Sequence, residues 1–138
     1  MTVRPIRESD VADAALILRA LDSELTVTAL ESRLRKTLAS PDHRVWVFES
    51  NGKIAALCHA FIRPALEKPV EVVVQSIAVD PAVRKGGIGR ALMRQAEAWA
   101  RETGHASVAL HTRNAAPFYV RLGYHEVAQT GLMRKSVT

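Results

Sequence analysis

At 138 residues the chain is long enough to bury one core and too short for two ordinary ones, so a single domain over 1–138 is expected. With 48% hydrophobic and 24% charged residues, no apolar run near the ~20 residues that span a bilayer, and no apolar leader core, it reads as a globular, cytoplasmic, non-membrane protein. The net charge of +5 raises a nucleic-acid or acidic-membrane partner, but the basic residues are scattered, and no arginine-rich tail, zinc spacing or aromatic RNA-binding signature goes with them.

Thr2 to Ile6 has the pattern of a short strand, and Ser9 can cap a helix with Val11, Ala15 and Leu18 on one face. Leu21 to Leu25 interrupts it. Thr28 to Leu38 places Leu30, Leu34 and Leu38 four residues apart with Arg33, Arg35 and Lys36 between them, a helix better suited to face a core than a membrane surface. Ser40-Pro41-Asp42 stops it. Arg44 to Glu49 and Lys53 to Arg63 are strands joined by Ser50-Asn51-Gly52, because Asn-Gly accepts the positive φ of a tight hairpin. The lone cysteine, Cys58, lies in the second of these strands and reads as a buried thiol. As a nucleophile it would lack a base, since His59 points to the opposite face.

After the loop at Glu67-Lys68-Pro69, Val70 to Val79 is a strand whose Val72-Val73-Val74 run implies burial on both faces. Next comes Asp80-Pro81-Ala82-Val83-Arg84-Lys85-Gly86-Gly87-Ile88-Gly89-Arg90, a turn and a basic glycine loop leading into a helix. Glycines at 86, 87 and 89 let main-chain N–H groups converge on an anion, the helix start adds its positive dipole end, and Arg84, Lys85 and Arg90 add full charges. The expected occupant is a pyrophosphate. The loop is not a P-loop, lacking Gly-Lys-Ser/Thr. Nor is it a dinucleotide fingerprint, since Leu92 stands where a third small residue belongs and no strand-end acid follows.

A helix over Gly89 to Thr103 buries Leu92, Ala96, Trp99 and Ala100 and ends at Gly104. Ala106 to Thr112 is then a strand parallel to the one before the helix, with a right-handed crossover expected. A short helix carries Pro117 in its first turn and stops at Gly123. Tyr124 to Ala128 and Leu132 to Val137 close the sheet as two antiparallel strands. The fold class is mixed α/β with helices on both faces.

Arg84-Lys85-Gly86-Gly87-Ile88-Gly89 resembles the R-x-x-G-x-G/A motif of the GNAT superfamily of N-acetyltransferases, and Ala115, Phe118-Tyr119 and Leu122-Gly123-Tyr124 resemble its A-x-x-F-Y and L-G-F/Y signature. The two motifs stand in the family's order and span roughly residues 70 to 125. The resemblance implies a mostly antiparallel sheet in which one parallel strand pair splays into a cofactor cleft. It implies acetyl-CoA as co-substrate, its pyrophosphate on the amides of Gly86, Gly87, Ile88 and Gly89 with Arg84, Lys85 and Arg90 around them. The pantetheine would run along Ile77, Ala78 and Val79, and Asn114, Phe118 and Tyr119 would complete the cofactor site. Tyr119 would be the catalytic acid that protonates the leaving sulfur; alternatively it is a core aromatic.

Two departures from the family pattern bear on chemistry. Gln75 stands where many relatives carry a glutamate base, and cannot accept a proton, so a water-mediated route is the expectation. Thr112 stands where the family often has asparagine, which leaves Asn114 either a coenzyme A contact or the start of a helix. Glu71 and His111 are weaker base candidates, each better read as a surface or packed residue. Glu24 would bind a cationic acceptor or remain a solvated acid, and the loops 22–28 and 64–69 would shape the acceptor pocket. The implied activity is acetyl transfer to a primary amine of a small molecule or protein in a ternary complex, with a coenzyme A sensor lacking turnover as the alternative. No metal is expected, and a homodimer through the last strands is what the resemblance suggests.

Overall fold

The computed structural model describes residues 2–83, 86–127 and 131–138. Five strands, β1 (Thr2–Pro5), β2 (His43–Ser50), β3 (Lys53–Arg63), β4 (Glu71–Val79) and β5 (Val108–Leu110), form one sheet in that order. The first three pairings are antiparallel and β4–β5 is parallel. The β2–β3 hairpin turns on Asn51 and Gly52, whose φ angles of 53° and 74° are the left-handed pair that a two-residue loop between twisted strands requires.

Alternation along the strands sorts the core into two layers. On one face Trp46, Cys58, Val72 and Val74 meet Leu92, Met93, Ala96 and Trp99 of α3 (Ile88–Glu102) and Tyr119 of α4 (Ala116–Arg121). On the other, Val45, Val47, Leu57 and Ala78 meet Ala14 and Ala15 of α1 (Val11–Leu18) and Leu30 and Leu34 of α2 (Val27–Leu38). The valine run of β4 is buried on both sides, as its sequence implies. No helix among the described residues is long and apolar enough to cross a membrane.

Three local sequence expectations are corrected. Ser9 does not cap α1: Glu8–Asp10 is a 3-10 turn, and the Asp10 carboxylate accepts the Arg7 N–H at 2.7 Å instead. Arg4 grips the same carboxylate at 2.8 and 3.0 Å, and that bonding holds Asp10 below its ordinary pKa. Leu38, the last residue of α2, is 46% exposed, whereas Leu30 and Leu34 are buried. The strand expected over Ala106 to Thr112 is only three residues long.

The largest difference is at the C-terminus. Tyr124–Val127 and residues 131–138 form no strand, and Ala128 lies outside the described residues. Apolar Leu132, Met133 and Val137 are 79%, 92% and 91% exposed. A strand is stable only when its main-chain groups and one apolar face find partners. Short β5 offers little edge, and the segment's alternating pattern finds no surface to cover.

Burial pushes the Cys58 thiol from 9.0 up to about 12, so it is uncharged at neutral pH and unsuited to nucleophilic attack. The same shift couples stability to pH. The unfolded chain releases this proton near pH 9.0 while the folded chain keeps it, so the stabilisation is complete below pH 9 and is lost as pH climbs toward 12. Thermal melts should therefore show a midpoint falling from pH 8 to 10, with a shallower fall in Cys58→Ala. Equal slopes in the two proteins would contradict the coupling.

Candidate active site

β4 is paired with β3 along its length, but with β5 only at Val72–Val108, Val73–Ala109 and Val74–Leu110. Beyond Leu110 the chain leaves the sheet, so among the described residues Gln75 to Val79 has a neighbouring strand on one side only. At that point the β3–β4 register slips. His59 faces Ser76 and Ala60 faces Val74, leaving exposed Gln75 as the extra residue of a bulge. The gap expected from the sequence begins at this bulge, and Ile77, Ala78 and Val79 form its β4 edge.

The glycine loop lies at the N-terminus of α3. Gly86 and Gly87 have φ of 113° and 75°, and Gly87 is the left-handed residue that starts the helix. Among the described residues no side chain caps this end, and a Cβ added at Gly86 or Gly87 would meet nothing within 4 Å. Open space therefore lies in front of main-chain donors that helix geometry leaves unsatisfied, which suits a pyrophosphate. Ile88 is buried and anchors the turn, while Arg90 is exposed beside it. Arg84 and Lys85 lie outside the described residues. Gly89 is a glycine for another reason: a Cβ there would sit 3.2 Å from Cζ of Phe118. The loop motif and the α4 motif thus touch.

Tyr119 is 7% exposed, with its ring edge-on to Phe118 (5.0 Å between centroids) and to Tyr124 (5.9 Å). Burial, and secondarily Cys58, raise its pKa, so it stays protonated through the neutral range. Among the described residues its hydroxyl has no hydrogen-bond partner, so none of them competes for its proton. Tyr124, by contrast, donates to Glu97 Oε2 at 2.7 Å.

Asn114 is exposed, and the turn into α4 is made by Thr112, whose Oγ1 accepts the Ala115 N–H at 3.1 Å. His111 is exposed just past the end of β5. Glu71 opens β4 in an ion pair with Arg63 and accepts the Ser107 hydroxyl at 3.0 Å, a structural engagement remote from the bulge.

On the opposite face a cavity of about 420 Å³ lies between the sheet and α1–α2. Leu18, Leu25, Leu30, Leu34 and Leu57 contribute apolar walls; Asp22, Arg33, Thr37, His59 and Ser76 are its polar groups. Of the two loops expected to shape an acceptor pocket, 22–28 contributes Asp22 and Leu25 and 64–69 contributes nothing. Glu24 is exposed outside the lining, its N–H donating to Asp22 Oδ1 at 3.0 Å. His59 and Ser76 line this cavity, a place the sequence reading gives to neither. Alternation from buried Cys58 already puts His59 on this face, but only the bulge aligns it with Ser76.

Comparison with known proteins agrees with this architecture. A sequence model of the acetyltransferase (GNAT) family matches residues 14–124. The chain is 36% identical over 66 residues to mouse (Mus musculus) N-alpha-acetyltransferase 80, a stretch that is 48% of this chain and 21% of that protein. It therefore spans a small part of that relative's length. The aminoglycoside 6'-N-acetyltransferase of Acinetobacter haemolyticus superposes with a TM-score of 0.84 at 21% identity, covering 100% of both chains. The glucosamine-6-phosphate N-acetyltransferase of Arabidopsis thaliana superposes with a TM-score of 0.82 at 20% identity, covering 99% of this chain and 98% of that one. At such identities the superpositions establish the fold; the family match, running from α1 through the glycine loop to Tyr124, establishes kinship. The chain belongs to the acetyltransferase (GNAT) family, whose acyl donor is acetyl-CoA.

Proposed function

We propose that the protein transfers an acetyl group from acetyl-CoA to a primary amine of a small molecule or protein, by direct attack while both are bound. The observation that carries this reading is the end of β4–β5 pairing at Val74–Leu110, next to an α3 N-terminus opened by Gly86 and Gly87. When bound, acetyl-CoA supplies the thioester carbonyl. The amides from Gly86 to Gly89, with Arg90 and the neighbouring Arg84 and Lys85, hold the pyrophosphate. The free edge at Ile77, Ala78 and Val79 fixes the pantetheine by main-chain hydrogen bonds and aims one N–H at the acyl oxygen. Phe118 seats Gly89 and thereby the loop.

Tyr119 hands its phenolic proton to the departing sulfur. The cavity across the sheet receives the acceptor, whose body is largely apolar to match the leucine walls. Gln75, at the mouth of the gap, orients water. Asp22, rather than Glu24, offers a negative charge at the cavity rim, and His111 and Asn114 lie in the segment that leaves the sheet after Leu110. A second reading, a coenzyme A sensor without turnover, is favoured by Gln75 standing where a base would serve.

Thiol release from acetyl-CoA in the presence of primary amines, alongside calorimetric acetyl-CoA binding, separates the two readings. Binding with no release for any amine would favour the sensor. Within the transferase reading, Tyr119→Phe should lower kcat about 100-fold and leave acetyl-CoA affinity within about twofold. Unchanged kcat with weakened binding would assign the ring to packing instead.

A further inference from the structure

An amine bound as an ammonium ion must shed a proton before attack and the new amide sheds another, yet the β4 edge from Gln75 to Val79 carries no carboxylate. Gln75 cannot take a proton, and Glu71 is committed to Arg63. The polar groups that reach the acceptor cavity from the sheet are Ser76 of β4 and His59 of β3, directly opposite each other across the strands. His59 does not stand alone. Its Nε2 lies 2.9 Å from Nδ1 of His43, its diagonal neighbour on β2, where the register pairs His59 with Val45 and His43 with Phe61. The His43 ring stacks on both His59 and Phe61, each at 5.2 Å between centroids, which holds the two imidazoles in register. His43 in turn lines a separate groove of about 320 Å³ with Arg33, Lys36, Thr37 and Ser40. Two cavities are thus joined through one hydrogen bond between two rings.

We propose that His59 and His43 form a proton relay carrying the acceptor amine's proton out of the apolar cavity into the groove beside α2. The proposal rests on the acetyltransferase reading and supplies the base that reading lacks.

The bookkeeping closes without storing charge. A hydrogen bond between two imidazole nitrogens needs one protonated and one bare nitrogen. In the resting pair His59 Nε2–H donates to His43 Nδ1, so His59 Nδ1 carries a lone pair. The amine's proton goes to His59 Nδ1, the Nε2 proton passes to His43 Nδ1, and the proton on His43 Nε2 leaves to water in the groove. The neutral amine nitrogen then forms its bond to the acyl carbon, the carbon–sulfur bond breaks with its electron pair going to sulfur, Tyr119 protonates that sulfur, and the second nitrogen proton passes through water to the Tyr119 phenolate. Both rings end neutral with tautomers exchanged, and exchange with solvent protons resets them.

Burial, followed by the charge of His43, pushes His59 down to about 4. An isolated base so weak would hold a proton poorly, whereas a relay need never hold one. The charged groups facing the pair are Arg33 and Lys36 of α2 beside His43, with Arg33 also reaching the cavity; the carboxylate among the cavity-lining residues is Asp22, on the α1–α2 loop.

The first test needs no acceptor. Imidazole 15N shifts of the wild-type protein at pH 7 should show His59 protonated at Nε2 and bare at Nδ1; a His59 carrying its proton on Nδ1 overturns the relay. The second uses thiol release from acetyl-CoA with phenethylamine, hexylamine and leucinamide. His59→Gln and His43→Gln should each lower kcat about 100-fold, leave acetyl-CoA affinity by calorimetry within about twofold, and abolish the acidic limb of the kcat–pH profile. Wild-type release left unchanged by both substitutions overturns the relay alone. No release by the wild-type protein with any of the three amines overturns the transferase reading and the relay with it.

Discussion

Gly87→Glu should raise the dissociation constant for acetyl-CoA by about 100-fold or more, measured by calorimetry, while the protein remains folded. Two effects act together. Gly87 begins α3 at φ 75°, a conformation that side-chain-bearing residues adopt only with strain. The added carboxylate would project into the open space before the helix N-terminus, where it satisfies the donors and repels the phosphates intended for them. A 100-fold loss corresponds to about 2.7 kcal/mol, within reach of one displaced phosphate contact plus repulsion. Gly52→Glu is the control for strain: its φ is 74°, its surroundings are equally open, and it sits in the β2–β3 turn. It should cost stability and leave acetyl-CoA binding alone. An unaltered dissociation constant in Gly87→Glu would remove the anion cradle from the account.

Leu92→Ala should have the largest effect on folding. Leu92 is fully buried one turn into α3, in the layer with Trp46, Val74 and Tyr119. Truncating a leucine in such a place loses both transfer free energy and the contacts around the cavity, about 3 kcal/mol, or about 10 °C in melting temperature for a chain of this size. Urea denaturation checks it, and a loss below about 1 kcal/mol would show that α3 is not seated on the sheet as described. α3 carries the glycine loop at its head, so the same contacts that stabilise the fold also set where the anion donors point.

Signals local in the chain were legible. The 3.6-residue stripe of α3, the Asn51-Gly52 turn, the doubly buried valines of β4 and the glycine loop each depend on neighbours within one turn or strand. Periodicity and backbone freedom report them directly. The Gly89 packing against Phe118 was half legible: both motifs were visible, but not that one explains the other's glycine. The last two strands were misread because alternation proposes a strand without supplying a partner. Ser9 was misread because Asp10, pinned by Arg4 from β1, outcompeted it for the turn.

By itself the amino-acid sequence determined the family, the α/β class, the acyl donor and the glycine loop at the head of α3, because these rest on residues close together in the chain. Tertiary structure alone decided where β5 stops, where β4 bulges, and that His59 meets Ser76 on one side and His43 on the other. The physical reason is register. Cross-strand neighbours are set by how distant segments align, and a one-residue slip exchanges which side chain faces which cavity.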